Sequence, residues 1–141
     1  MSPLRIRVQL RWRDMDAYGH VNNAVYLNFL EEARDAWVQH VLGPVTETWD
    51  FVLARVAIDF REELKQDDGE VVVRCTLDSV GRASVRTREE ITKRDGTLSA
   101  TAMSVIVPRD PKTGRSRPLT ERERAALEGE LAIVEGGDGT T

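Results

Sequence analysis

The chain has 141 residues, with 20 lysines and arginines against 24 aspartates and glutamates, a net charge of -4. That length supports one domain with a real core and no second one. The acidic balance argues against nonspecific binding to nucleic acid or anionic membranes, and no apolar run approaches the roughly 20 residues that span a bilayer. Arg5, Arg7, Arg11 and Arg13 interrupt the N-terminal stretch, so it lacks the apolar segment of a secretion signal. A single cysteine, Cys75, excludes an internal disulfide and fits the cytoplasm. It alternates with Val71, Val73 and Leu77, the placing of a buried filler and not of a nucleophile. His20 and His40 are the only histidines, and no cluster has metal-ligand spacing, so no metal is expected.

From Leu4 to Trp12 the alternation is strict, with Leu4, Ile6, Val8, Leu10 and Trp12 on one side: a half-buried strand. Asp14 to Asn22 carries turn residues. From about Asn23 the period becomes helical, with Tyr26, Phe29, Leu30, Ala33 and Trp37 on one stripe continuing to Val41. Gly43-Pro44 stops that helix. Glu31 and Glu32 fall off the stripe and read as a solvated face. His40, in the last turn, is a favourable charge on the helix dipole.

After a loop near Thr46 to Asp50, four strand-like runs follow: Val52–Phe60, Glu70–Val80, Ala83–Thr92 and Leu98–Val107. In the first, Val52, Ala54, Val56, Ile58 and Phe60 share one side. The short connections Asp67-Asp68-Gly69, Gly81-Arg82 and Arg94-Asp95-Gly96 predict antiparallel hairpins between successive strands. Arg109 to Pro118 is a basic loop. Leu119-Thr120-Glu121-Arg122-Glu123 reads as a capped start to a short helix through Leu127 or beyond. The tail Gly136 to Thr141 is expected to be disordered. The organisation is one α+β domain over residues 1–130, with 131–141 as tail. A five-stranded antiparallel sheet with one apolar face buries it by wrapping around the long helix. That order, strand, helix, then four strands, is expected of a hotdog fold.

The most informative stretch is Asp14-Met15-Asp16-Ala17-Tyr18-Gly19-His20-Val21-Asn22-Asn23. It places two carboxylates, a glycine, a histidine and two asparagines between a strand and a helix N-terminus. Unpaired N–H groups at a helix start attract a carbonyl oxygen or a developing oxyanion. A carboxylate one short turn away then serves as base or nucleophile against the polarised group. Such geometry suits attack on an activated acyl group. Gly19 fits a positive φ or a close approach of backbone to substrate. Asp14 fits a structural role, holding the turn through backbone N–H groups. Asn22 and Asn23 are good N-cap residues.

The segment from Asp14 to Tyr26 resembles the active-site region of the 4-hydroxybenzoyl-CoA thioesterase-like family of hotdog acyl-CoA thioesterases. Ala57-Ile58-Asp59-Phe60-Arg61-Glu62-Glu63 with Gln66-Asp67-Asp68 resembles a strand of plant acyl-ACP thioesterases, which share the fold. Gly81-Arg82-Ala83-Ser84 and Asp95-Gly96-Thr97-Leu98-Ser99-Ala100 extend the resemblance over most of residues 5 to 119. The resemblance implies that Asp16 is the catalytic carboxylate and that the backbone N–H of Asn23 polarises the thioester carbonyl. From the acyl-ACP branch it implies roles for His20 and Glu63, although that branch has an asparagine where this chain has Tyr18.

Asp16 would activate water, or attack the thioester to give a mixed anhydride; the sequence leaves both open. His20 would hydrogen-bond Asp16 or a water, or simply pack the loop. A coenzyme A ester needs cations at the pocket mouth. The choices are Arg82, Arg86 and Arg88 on one strand, with Ser84 lining the pantetheine channel, or Arg109, Lys112, Arg115 and Arg117 in the loop. Gly19 and Tyr26 are also expected at the substrate, with Phe29 and Phe51 in the acyl cavity. The expected activity is hydrolysis of an acyl-CoA to free acid and CoA, with no cofactor beyond the CoA of the substrate. An acyl-ACP thioesterase and a non-catalytic acyl-thioester-binding protein are the alternatives; a hotdog dehydratase ranks last, because no histidine lies on the helix's early turns. By the same resemblance, the open groove beside the helix is closed by a second subunit, in a homodimer or a tetramer of dimers.

Overall fold

The computed structural model describes residues 4–46 and 50–137. Its main elements are strand β1 (Leu4–Gln9), helix α1 (Asn23–Val41), strands β2 (Phe51–Phe60), β3 (Glu70–Val80), β4 (Val85–Lys93) and β5 (Leu98–Pro108), and helix α2 (Glu121–Gly137). The strands form one antiparallel sheet in the order β1-β3-β4-β5-β2. The hairpins expected at Gly81-Arg82 and Arg94-Gly96 are present. The one expected at Asp67-Gly69 is not: β2 leaves for the far edge and pairs with β5, while β3 is taken by β1 and β4. Short connections alone did not reveal this, because the strand before the turn finds a better partner elsewhere.

The core lies between the inner face of the sheet and the expected stripe of α1: Tyr26, Phe29, Leu30, Ala33 and Trp37 are all buried, with Val38 and Arg34 beside them. From the sheet come Val71, Val73, Cys75 and Leu77 on β3, Val85 and Ile91 on β4, and Ala100 and Ile106 on β5. Cys75 is a buried free thiol, as its alternation implied. Arg34 is the departure from the apolar pattern, a charged side chain only 6 % exposed on the core side of the helix.

Two strand readings need correction. β1 ends at Gln9, and the chain turns through a short 3-10 segment at Trp12–Asp14 that leaves Trp12 80 % exposed instead of on the core side. In β2 the register with β5 shifts between Leu53 and Arg55. A bulge changes which residues face inward, so Phe51, Val56 and Ile58 pack on the core, and Val52 does not.

β1 and β2 are the two edges, and α1 lies closest to β1 and β3. On its β2 side an open cleft lies between Arg34 and Val38 of α1 and Phe51, Val52 and Leu53 of β2; Leu27 of α1 and Leu53 and Phe60 of β2 are half-exposed. α2 packs on β3 and the end of α1 and is longer than the sequence suggested. It reaches Gly137, with Leu131 part-buried and Val134 buried, so the folded unit extends past residue 130 and Gly136 and Gly137 are helical. Residues 138–141 of the expected tail, and 47–49 of the loop after α1, lie outside the described residues. No helix among the described residues is long and apolar enough to cross a membrane.

The capped start of α2 is the expected one. The Thr120 hydroxyl accepts from the Glu123 N–H at 3.1 Å, and the Glu123 carboxylate accepts from the Thr120 N–H at 2.9 Å. The same carboxylate, 1 % exposed, receives both Arg117 nitrogens at 2.9 and 3.0 Å and the Thr46 hydroxyl. Burial alone would raise its pKa, but the Arg117, Thr46 and Thr120 bonds outweigh that and bring it from 4.5 to about 2. A depressed carboxylate contributes stability that is complete above its unfolded pKa and lost as pH falls through the folded one. The stability gap between wild type and Glu123→Gln in urea unfolding will therefore narrow as pH falls from about 4.5 to about 2. A gap independent of pH over that range would refute the assignment.

Candidate active site

Between β1 and α1 the chain doubles back as a narrow ribbon. Its base is a bond from the Asn22 N–H to the Asp14 carbonyl at 2.8 Å; Met15 pairs with Val21, and the Asp16 N–H donates to the His20 carbonyl at 2.7 Å. The Asp14 carboxylate, 2 % exposed, accepts from the Arg11 backbone N–H at 2.8 Å and from its guanidinium at 3.0 Å. Burial pushes the Asp14 pKa up, yet the Arg11 bonds win and hold it below the ordinary value. Asp14 is structural, as its place in the turn suggested.

At the ribbon tip, Asp16 Oδ1 accepts the N–H groups of Tyr18 at 2.8 Å and His20 at 3.1 Å. Asp16 Oδ2 takes no hydrogen bond among the described residues, and the side chain is half-buried. The Gly19 N–H returns to the Asp16 carbonyl, with φ at +83°. The expectation for Gly19 holds for a backbone reason: the chain reverses in a region that disfavours a Cβ.

The other arm of the ribbon runs directly into α1. Asn22 caps the helix, its side chain accepting the Ala24 N–H and its carbonyl the Val25 N–H, each at 2.9 Å. The Asn23 N–H is left without a partner among the described residues, at the positive end of a 19-residue helix. One ribbon thus carries a carboxylate on one arm and an unpaired helix-start amide on the other.

The segment after β2 supports this loop. The Val21 N–H donates to the Leu64 carbonyl at 2.7 Å, and His20 bridges to Lys65 along the backbone. His20 Nε2 lies 2.9 Å from Glu63 Oε2, and Lys65 Nζ 3.6 Å from Glu63 Oε1. His20 therefore bonds Asp16 through its backbone, while its imidazole goes to Glu63. Lys65 was not foreseen, and nothing in its local pattern marks it.

The chain matches the family described as "Thioesterase-like superfamily" over residues 10–127. The chain belongs to the thioesterase-like superfamily. It is 27% identical over 128 residues to "Long-chain acyl-CoA thioesterase FadM" of Escherichia coli (strain K12), spanning 89% of this chain and 97% of that one. A solved thioesterase of Thermus thermophilus, complexed with coenzyme A and Zn, is 34% identical, with a TM-score of 0.80 and coverage of 91% and 94%. YbaW, a probable thioesterase from Escherichia coli, is 28% identical with a TM-score of 0.74, covering 90% of this chain and 98% of that one. The hotdog fold and the class of thioester hydrolase read from the sequence both stand.

In this thioesterase the remaining expected residues are scattered. Tyr26 is 3 % exposed: its ring stands edge-on to Phe60 at 5.0 Å and its hydroxyl lies 3.4 Å from Ser99 Oγ, so it belongs to the core at the start of α1. Burial raises the Tyr26 pKa, keeping the phenol neutral. Phe29 is core as well. Arg82, Ser84, Arg86 and Arg88 lie toward the other end of the sheet. Val85 pairs with Ile106, whereas Phe60 and Ile91, near the ribbon, pair with Ala100. Arg82 accepts the Leu119 N–H through its carbonyl, Ser84 closes the β3–β4 turn with Gly81, and Arg88 pairs with Asp78 at 2.7 Å. In this chain, then, these four are not gathered around Asp16. In the basic loop, Arg117 is committed to Glu123 and to the ring of Phe51.

Space around Gly19 is open, with nothing within 4 Å of the position a Cβ would occupy. Gly19→Ala should destabilise by about 1 kcal/mol from backbone strain alone, and Gly19→Asn by less. Urea unfolding tests this; equal stability of all three proteins would contradict the role given to the positive φ.

Proposed function

We propose that the protein hydrolyses acyl-CoA thioesters to free acid and CoA at the Asp16–Asn23 ribbon. The observation that carries this is the unpaired Asn23 N–H at the helix start, on the same ribbon as the Asp16 carboxylate. In this reading the thioester carbonyl oxygen lies on the Asn23 N–H, which stabilises the oxyanion as it forms. Asp16 takes a proton from water as the water oxygen bonds to the acyl carbon; the C–S bond then breaks and the proton passes to the leaving thiolate. Direct attack by Asp16, with a mixed anhydride hydrolysed by water in a second step, uses the same atoms. His20 and Glu63 hold the loop and orient the attacking water.

The acyl group occupies the cleft between α1 and β2, whose exposed apolar residues, Leu27, Leu53 and Phe60, give it a lining. A second copy closes that cleft. β2 is an unpaired edge, and such edges recruit strands. A copy added antiparallel through its own β2 would set its opposite sheet end beside this site, bringing Arg82, Arg86, Arg88 and the 109–117 loop toward the CoA phosphates. A homodimer, or a pair of such dimers, is the assembly this supports, and the lone buried thiol fits a cytoplasmic setting. The His20–Glu63 contact at 2.9 Å favours a second reading of the carrier, because the acyl-ACP branch that the sequence resembles uses that pair.

Asp16→Asn should lower thiol release from acyl-CoA by about a hundredfold or more, while Asn23→Ala, which keeps the backbone N–H, should change it only severalfold. An unchanged rate in Asp16→Asn would refute the mechanism. Saturable binding with no thiol release by wild type across a broad acyl panel would mark a non-catalytic binder.

A further inference from the structure

Between α1 and β2 is a recess of about 280 Å³, lined by Val38, Phe51, Val52, Leu53 and Ile106 but also by Arg34, with Glu31 and Asp35 contributing to the wall. Behind Arg34 lies a buried polar cluster that the hydrolytic machinery does not use. Arg34 Nη1 donates to Ser104 Oγ at 3.3 Å, and Ser104 Oγ donates to Glu89 Oε1 at 2.7 Å. The Thr87 hydroxyl donates to Glu89 Oε2, toward which the Cys75 thiol also points at 3.8 Å. Glu89, Ser104 and Thr87 are each 1 % exposed or less.

A guanidinium offers five N–H donors, and in Arg34 only Nη1 is bonded, by one long contact to a neutral hydroxyl. Its other nitrogens take no hydrogen bond among the described residues and are not among the buried polar atoms left without a partner, so they keep some exposure, and Arg34 lines the recess. The two oxygens of Glu89 accept from Ser104 and Thr87; burial raises its pKa, while those bonds and the nearby Arg34 charge lower it. Taking an arginine out of water costs several kcal/mol unless it is well paired, and a methionine would fill the same part of the helix stripe without that cost. A cation with uncommitted N–H donors, on the wall of a recess that also carries five apolar residues, is what a ligand with one hydrogen-bonding group would match.

We infer that Arg34 is a specificity-determining residue, and that this recess selects acyl chains bearing an uncharged acceptor at their distal end, a hydroxyl or keto oxygen. The inference rests on the thioesterase reading for the position of the thioester. Arg34 lies eleven residues beyond Asn23, about 16 Å along the helix at 1.5 Å per residue, and its side chain leans back toward the helix start. That separation suits an extended chain and is too long for a single aromatic ring. A free carboxylate is disfavoured, because Glu31 and Asp35 share the wall; burial, with Glu31 alongside, already raises the Asp35 pKa.

The test compares dodecanoyl-CoA with its ω-hydroxy and ω-carboxy counterparts, together with the decanoyl and tetradecanoyl pairs. Two quantities are read: kcat/KM by thiol release, and affinity for the Asp16→Asn protein by calorimetry. Wild type is expected to favour the hydroxy chain of best length over the plain one by about tenfold, the scale of one hydrogen bond to a charged group. The carboxy chain should gain nothing. Arg34→Met should abolish the preference or reverse it. If that variant does not fold, Arg34→Met/Glu89→Gln removes the buried carboxylate as well and answers the same question. Equal handling of plain and hydroxy chains by wild type at every length, or a preference unchanged by loss of Arg34, overturns the inference. Absence of thiol release from every ester refutes the activity instead, and the calorimetric ratio then still decides the selectivity.

Discussion

The contact between Arg11 and the buried carboxylate of Asp14 underlies the geometry of the site. Asp14 is drawn out of water and held charged by the backbone and guanidinium of Arg11, so its position in the turn is fixed. Its carbonyl then receives the Asn22 N–H, and that single rung sets where the ribbon opens and where α1 begins. Everything with chemical potential follows from those two points. Asp16 lies two residues from the rung toward the ribbon tip, and the Asn23 amide one residue from it on the helix side.

The sheet adds a second constraint. Because β2 leaves β3 and pairs with β5, the helix rests on the β1–β3 side and a cleft opens toward β2. Phe60, at the end of β2, stacks edge-on against Tyr26 in the first turn of α1, so the cleft begins at the same end as the ribbon. The chain leaving β2 then passes the Glu63–Leu64–Lys65 segment under the ribbon, where Leu64 and Glu63 hold Val21 and His20. One crossover therefore both opens the cleft and braces the loop beside it.

Charge within this molecule is mostly structural. Arg117 and Glu123 lock the start of α2 against the loop after α1, and Arg88 is tied to Asp78 on the outer face of the sheet. Arginines that looked from the sequence like phosphate ligands are partly spent on such contacts, because strand alternation shows which side chains share a face and not what stands opposite them. Arg34 is the reverse case. Its spacing from Leu30 and Trp37 places it on the buried stripe, and a cation at such a position is a readable anomaly, yet only the packed structure reveals the recess it lines.

The sequence by itself determined the elements, the helix bounds Asn23–Val41, the Thr120–Glu123 cap, the need for glycine at position 19 and the family-specific ribbon. These depend on periodicity, capping and turn chemistry among residues close together in the chain. Only the tertiary structure decided the rest: that β2 crosses to the far edge, that Trp12 is outside, that α2 continues to Gly137, and that Tyr26 is buried in the core. It also decided that His20 turns to Glu63, and that Arg82 to Arg88 gather elsewhere. Each of those outcomes depends on which distant segments compete for the same partner, a choice made by packing and hydrogen bonding across the whole sheet and invisible in any local window.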